Sequence, residues 1–187
     1  GYSDEQHLTP IINSASGYDA TNPYEGRDPR FYASIYYNGA VRFLNRPHGR
    51  KVETYEGGAE QIDRNGTSIK NTTTGYYLRK FNHYASTKTT NSDGWVRTFR
   101  LADLYFYFAE AAYNVNNADA QVTLGKGKTM SALDAINTIR ARVNMPALPA
   151  GMSNTDFEKR LRNERFVEFA FEGKRYFDVR RWKELPK

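Results

Sequence analysis

Three glutamates near the end of the chain are spaced so that they can share one face of a helix. Glu164, Glu168 and Glu172 follow one another at intervals of four residues, and side chains four residues apart lie above one another on an α-helix. Two carboxyl groups about 5–9.5 Å apart can hydrolyse a glycosidic bond, one as the acid and one as the base or nucleophile. The spacing alone therefore admits a catalytic carboxyl pair.

Basic and aromatic residues surround these glutamates in the segment RNERFVEFAFEGKRYFDVRRW, residues 162–182. No rotation of a helix over 157–172 places every aromatic inside and every carboxylate outside, so some carboxylates must lie against protein and need partners. Arg162, Arg165, Arg175, Arg180 and Arg181 are near enough in sequence to supply them. A nearby cation lowers the pKa of a carboxyl group and keeps it ionised, which favours a structural lattice of ion pairs over catalysis. The predicted lattice consists of Glu164, Arg165, Glu168, Glu172, Arg175, Asp178, Arg180 and Arg181.

Helices are predicted to carry these residues through the second half of the chain, 99–187. The first, within residues 99–117, is expected to bury the stripe formed by Leu101, Leu104, Tyr105, Phe108, Ala111, Ala112 and Val115, and to leave Asp103 on a polar stripe. A second helix begins at Ser131 with Asp134 three residues later, and a third begins at Thr155 and runs to Gly173. A short helix is predicted over 176–184. A pair of such antiparallel helices resembles one unit of an α-solenoid.

The first half of the chain, 1–98, is rich in Gly, Asn, Thr, Ser and Tyr and poor in helical patterns. Residues 30–39 and 74–81 are predicted strands, and Asn38-Gly39 is the turn that follows the first. The stretch 45–73 is predicted to be an exposed loop. The sequence therefore indicates a mainly α fold with a loop-rich N-terminal half that contains short strands or hairpins, all within one region, 1–187.

Composition excludes several classes of site. The chain has no cysteine, so disulfides, thiolate zinc sites and cysteine nucleophiles are excluded. The net charge of +6 comes from basic residues scattered among acidic ones, and nothing in their distribution indicates nucleic-acid binding. Aromatic residues are 14% of the chain and include 14 tyrosines, which suit half-exposed surfaces and the walls of binding sites. We expect no cofactor; the carboxylates of Asp19 and Asp28 admit a Ca²⁺ ion, although no recognisable loop motif supports one.

Five segments, in order, give the chain a resemblance to a known family. They are NPYEGRDPRFYASIYYNG (22–39), TGYYLRKF (74–81), RLADLYFYFAEAAYN (100–114), ALDAINTIRARVNMP (132–146) and ERFVEFAFEGKRYFDVRRW (164–182). Each is similar to a segment of the SusD/RagB family, the glycan-capturing outer-membrane lipoproteins of Bacteroidetes-type nutrient uptake systems. The last segment is nearly complete, and together they cover most of the chain.

The resemblance implies a tetratricopeptide-like helical scaffold and a binding role in place of an enzymatic one. It also implies an oligosaccharide or other nutrient as ligand, and a TonB-dependent outer-membrane barrel of the SusC type as partner. Family members are about three times as long, so we expect this chain to be the C-terminal portion of a protein on the cell-surface side of the outer membrane. The signal peptide and the lipid-bearing cysteine of the family are not in this sequence.

A sugar site is expected in the loop-rich half, in the segment before the DPRF motif, which in the family lies toward the ligand. Sugars present CH-lined faces and a rim of hydroxyls, so their sites combine flat aromatics with amides, carboxylates or arginines. The candidate glycan-binding residues are Tyr2, Tyr18, Asp19, Asn22, Tyr24 and Trp95. Two alternatives remain open at this point: a glycoside hydrolase, and a helical module that binds only proteins.

Overall fold

The computed structural model describes residues 18–42, 49–63, 65–66, 71–82 and 97–184. Among the described residues, 18–30 and 97–184 form one compact unit, which we call the helical unit. Residues 31–82 belong to a second compact unit, which we call the strand unit. In chain order the elements are α1 (Pro29–Ser34), β1 (Ile35–Tyr36), β2 (Val41–Arg42), β3 (Arg50–Lys51), β4 (Tyr77–Leu78), α2 (Leu101–Val115), β5 (Val122–Gly125), β6 (Lys128–Met130), α3 (Ala132–Arg142), α4 (Asn154–Glu168) and α5 (Arg175–Arg181).

The core of the helical unit lies between α2, α3 and α4. Phe106 of α2 and Phe157 of α4 are completely buried. The ring centres of Phe106 and Phe169 are 5.4 Å apart, and those of Tyr113 and Phe157 are 5.5 Å apart. Alanines on α2 and α3 are also buried, and small side chains allow helix backbones to approach closely. The predicted pairing of helices is therefore present.

The buried face of α2 is not the predicted one. Leu101, Leu104 and Val115 are exposed, whereas Ala102, Asp103, Phe106, Ala109, Ala112 and Tyr113 are buried. Two interactions explain the burial of Asp103: its carboxylate accepts the backbone N–H of Arg100 at 3.0 Å and the ammonium of Lys174 at 2.7 Å. Leu101, Leu104 and Val115 of the predicted stripe thus face outward, because alanines form the close contact. The other large members of the stripe, Tyr105 and Phe108, are partly buried against the core.

The start of α3 agrees with its prediction and the start of α4 does not. Ser131 accepts a hydrogen bond from the backbone of Asp134, and Asp134 accepts one from the backbone of Ser131. At α4 the cap is Ser153, which accepts the backbone N–H of Asp156 at 3.1 Å, so the cap lies two residues before Thr155 and the helix begins at Asn154. It ends at Glu168, five residues before Gly173, whose positive φ of 72° lies in the turn to α5.

The segment 125–129 lies in a β-hairpin that the periodicity of apolar residues did not indicate. Strands β5 and β6 pair antiparallel, with Val122 opposite Met130 and Thr123 opposite Thr129. Lys126 and Gly127 have positive φ angles of 50° and 70°, which is the backbone geometry of a tight hairpin turn. This hairpin connects α2 to α3.

The strand unit contains two short antiparallel ladders. β1 pairs with β4, with Ile35 opposite Leu78 and Tyr36 opposite Tyr77, and β2 pairs with β3. Tyr36, Ala40 and Val52 form its small buried core. Val52 and Thr54 are buried, so the prediction of an exposed loop throughout 45–73 is wrong for these positions.

The predicted strand over 30–39 is wrong for its first part, where the chain forms α1. Pro29 is its first residue, where proline fits because its fixed φ is helical and its missing N–H would have no partner. The carboxylate of Asp28 accepts the backbone N–H of Arg30 at 2.9 Å, which caps the helix start. Only Ile35 and Tyr36 continue as strand.

Candidate functional site

The three glutamates predicted to be bound by arginines are buried in the helical unit. Their side chains are 2–4% exposed. Glu164 pairs with Arg30 at 2.7 Å and with Arg140 at 2.6 Å. Glu168 pairs with Arg30 at 3.1 Å, and with Arg100 and Arg142 at 2.7 Å each. Glu172 pairs with Arg100 at 2.8 Å. We call these seven residues the charged cluster.

The arginines of the charged cluster are not the ones predicted from sequence proximity. Arg165 donates to Asp178 at 2.7 Å, and Arg175 pairs with Glu184 at 3.3 Å. Arg181 pairs with Glu110 and, at 3.4 Å, with Asp178. Arg180 is exposed and donates to the hydroxyl of Tyr176 at 2.8 Å. These residues form a second set of ion pairs and hydrogen bonds around α5.

The difference follows from helix geometry. Neighbouring residues on a helix point about 100° apart, so Glu164 and Arg165 face different parts of the unit. Arg165 lies over the rings of Tyr107 and Phe169, at 5.1 and 4.8 Å from their centres. Glu164 instead meets arginines from the start of α1 and from α3. Sequence proximity could not reveal these partners, because they depend on how the helices pack.

Electrostatics favours the ionised form of Glu168, the central carboxylate of the charged cluster. Burial raises the pKa of Glu168, but the hydrogen bond from Arg100 and the charges of Arg100 and Arg142 outweigh burial and hold that pKa below its usual value. Burial likewise opposes the charge of Arg30, whereas its contacts with Asp28 and Glu164 raise its pKa. A buried carboxylate that is held ionised by several guanidinium groups is poorly suited to donate a proton to a leaving group. The arrangement is that of a structural cluster.

Arg30 links the charged cluster to the segment that holds most of the candidate sugar-binding residues. Its guanidinium donates to Asp28 at 2.6 and 3.0 Å and to Glu168 at 3.1 Å. Asp28 directly follows the loop formed by residues 18–27, which we call the tyrosine loop. The buried ion pairs therefore fix the C-terminal end of this loop to α4.

Hydrogen bonds within the tyrosine loop fix its own shape. The carboxylate of Asp19 accepts the backbone N–H and the hydroxyl of Thr21 at 2.8 and 2.7 Å, and the side-chain amide of Asn22 at 2.9 Å. These hydrogen bonds lower the pKa of Asp19. The guanidinium of Arg27 donates to the carbonyl of Pro23 at 2.9 Å and lies 5.9 Å from the centre of the Tyr18 ring. The loop thus presents an aromatic ring beside an arginine.

The structure places four of the six candidate sugar-binding residues in this one loop. Tyr18, Asp19 and Asn22 are exposed, and Tyr24 is half-buried. Asp19 and Asn22 bond to each other, so they shape the loop as well as line its surface. Tyr2 and Trp95 lie outside the described residues. The assignment of these residues to a sugar site remains a prediction.

The two carboxylates named as possible Ca²⁺ ligands, Asp19 and Asp28, both accept hydrogen bonds within the protein. The oxygens of Asp19 accept hydrogen bonds from Thr21 and Asn22, and those of Asp28 accept hydrogen bonds from Arg30. Within the described part of the chain, no three His, Asp or Glu side chains are placed to hold a metal ion together.

The comparison with protein families identifies the fold. The sequence pattern of the SusD family matches residues 12–187. The chain belongs to the SusD family. A SusD-like protein of Bacteroides fragilis has a TM-score of 0.68 and 28% identity over 97% of this chain and 32% of its own. A SusD-like carbohydrate binding protein of the same organism has a TM-score of 0.70 and 27% identity over 97% of this chain and 34% of its own.

The chain thus spans about a third of the length of these solved SusD-like proteins. No curated protein matches it. The predicted family and the predicted fold class, a mainly helical tetratricopeptide-like scaffold with a loop-rich N-terminal half, are confirmed. Among the helices in the described residues, none has both the length and the apolar character needed to cross a membrane.

Proposed function

We propose that this chain is part of a carbohydrate-binding protein that captures oligosaccharides for uptake. The observation that carries the proposal is the match of the SusD family over residues 12–187, together with a SusD-like relative described as carbohydrate binding. A binding role agrees with the charged cluster, in which arginines lower the pKa of Glu168 and keep it ionised. No observation favours hydrolysis, and we propose no catalytic residue.

We further propose that the tyrosine loop contacts the sugar. The ring of Tyr18 beside Arg27, with Asp19 and Asn22 exposed in the same loop, combines an apolar face with polar groups at its edge. The loop is held by its own hydrogen bonds and by the Asp28–Arg30 contact, so little ordering is needed when the sugar binds. Binding through such a loop requires no cofactor.

On the basis of the same family membership, we also propose a location and a partner for this protein. We propose that the full-length protein lies on the cell-surface side of the outer membrane, held by a lipid anchor outside this chain. Its partner is proposed to be a SusC-like, TonB-dependent barrel that receives the oligosaccharide. Isolation of this protein from outer membranes together with a TonB-dependent barrel supports the proposal, and its isolation without one contradicts it.

Affinity electrophoresis of the full-length protein that contains this chain, against a panel of polysaccharides, tests the binding function. The panel contains starch, xylan, mannan, pectin and mucin, and the expected result is retardation by at least one of them. Tyr18→Ala is expected to abolish most of the retardation, whereas Tyr55→Ala, an exposed tyrosine of the strand unit, leaves it unchanged. Retardation by none of the polysaccharides, or release of reducing sugar from one, overturns the proposed function.

A further inference from the structure

The strand unit contains a cleft that sequence analysis did not indicate. Its volume is about 250 Å³. The residues that matter for its chemistry are Tyr36, Arg42, Glu60, Tyr77, Leu78 and Asn82. All of these residues lie within one compact unit, the strand unit.

One wall of the cleft is aromatic because of strand register. Tyr36 of β1 lies directly opposite Tyr77 of β4, and residues opposite each other in an antiparallel pair have neighbouring side chains on one face. The hydroxyl of Tyr77 accepts the backbone N–H of Thr72 at 3.2 Å and donates to the carbonyl of Glu60 at 3.3 Å. These hydrogen bonds fix the ring of Tyr77. Leu78 extends the apolar surface and is exposed.

The opposite edge of the cleft is polar and is held in place around Glu60. The carboxylate of Glu60 accepts hydrogen bonds from Arg42 at 3.4 Å, from the backbone N–H of Glu53 at 3.2 Å, and from Arg50. The side chain of Arg42 is 40% exposed and lines the cleft. Asn82 is also exposed and donates to the carbonyl of Leu78 at 2.5 Å. A guanidinium, a carboxylate and an amide thus border the tyrosine wall.

We propose that this cleft is a second carbohydrate subsite, which takes one sugar ring of a bound oligosaccharide. The proposal rests on the proposed carbohydrate-binding function and extends it to the strand unit. Tyr36 is buried in the core of the strand unit, so the partly buried ring of Tyr77 and the exposed side chain of Leu78 form the surface that suits the CH-lined face of a sugar. The charged and amide groups suit its hydroxyls. The volume lies below the roughly 300–1,000 Å³ of sites for drug-sized ligands, so the cleft accommodates a single ring or a short branch and not a chain.

Amide chemical shifts of the whole ¹⁵N-labelled chain test the proposal directly. The probes are maltoheptaose, cellohexaose, xylohexaose, mannohexaose and N-acetylchitohexaose, each titrated separately. We expect at least one probe to shift the amides of Arg42, Tyr77 and Asn82. Shifts confined to the tyrosine loop overturn the second subsite and leave the proposed function standing, whereas shifts in neither region overturn both.

Two variants and a matched control test the polar edge. Arg42→Gln and Asn82→Ala are each expected to raise the Kd of the shifting probe about tenfold at the strand unit, as for the loss of a hydrogen bond from a well-placed polar group. Arg50→Gln removes an arginine that pairs with the same glutamate but does not line the cleft, and less than a twofold change is expected. Wild-type affinity of both cleft variants, or equal losses in all three, overturns the proposal. Unchanged amide shifts in the rest of the strand unit, measured without a probe, confirm that each variant is folded.

Discussion

At the scale of single residues, Glu168 has the largest predicted effect on stability. Its carboxylate is 2% exposed and pairs with Arg30, Arg100 and Arg142. Glu168→Ala removes the carboxylate that these three arginines share. Buried positive charge is then left without this negatively charged partner. Loss of one partner from a buried ion pair typically lowers the free energy of unfolding by about 3–5 kcal/mol. Urea unfolding followed by circular dichroism measures this loss.

A glutamate on the same helix provides the control for this prediction. Glu158 pairs with Arg162 near the surface of α4, where both side chains are about a third exposed. Exposed pairs contribute about 0–1 kcal/mol, so Glu158→Ala is expected to unfold at nearly the wild-type urea concentration. A Glu168→Ala variant as stable as Glu158→Ala would show that the charged cluster does not brace the fold.

The same residue predicts how stability depends on pH. The pKa of Glu168 in the folded protein is held below its usual value of 4.5. Its ion pairs therefore stabilise the fold fully above that value, and their contribution is lost as the pH falls through the folded pKa. The urea concentration at the midpoint of unfolding, measured from pH 7 down to pH 3, should decrease once the pH is below about 4.5. A Glu168→Gln variant, which cannot ionise at this position, should show a shallower decline, and identical declines contradict the assignment.

At the scale of elements, substitutions can test the N-terminal caps of α3 and α4. Of the two caps predicted from the sequence, Ser131 and Thr155, the structure uses only Ser131. Ser131 and Ser153 accept backbone N–H groups at the starts of α3 and α4, and loss of such a cap lowers the free energy of unfolding by about 0.5–2 kcal/mol. Ser131→Ala and Ser153→Ala are both expected to show this loss in thermal unfolding. Thr155→Ala, at the exposed position that sequence analysis selected, should be within about 0.5 kcal/mol of the wild type. A larger loss for Thr155→Ala than for Ser153→Ala would contradict the observed helix start.

Elements also show where sequence reasoning succeeds and where it stops. Local signals predict helix starts: the Ser131–Asp134 capping box of α3 lies as expected, since it depends only on neighbours in the chain. The partners of Glu168 come from the starts of α1 and α2 and from the end of α3. Their identity depends on packing across long sequence separations, which no local pattern encodes. The aromatic wall of the cleft escapes prediction for the same reason, because it depends on the pairing of β1 with β4.

At the scale of the whole molecule, the chain shows an apolar surface that a free protein would normally cover. Leu101, Leu104 and Val115 occupy one stripe of α2, and all three are more than half exposed. Phe166, Phe171 and Phe177 of the same unit are also more than half exposed. Scattered apolar residues on a surface are ordinary, but a contiguous stripe marks a surface of association. The stripe has the periodicity of a buried helix face, which is why sequence analysis placed it inside.

This surface predicts the behaviour of the 187-residue chain in solution. Burial of a leucine side chain contributes about 1.5–3 kcal/mol, so the chain alone should self-associate at high concentration and should enhance the fluorescence of a hydrophobic dye. The double variant Leu101→Glu with Leu104→Glu should shift the sedimentation profile toward the monomer and reduce the dye signal several-fold. Thr138→Glu, an exposed position on α3, is the matched control for added charge and should change neither measurement. If the wild-type chain is monomeric at every concentration tested and does not bind the dye, the outward stripe of α2 does not behave as an association surface.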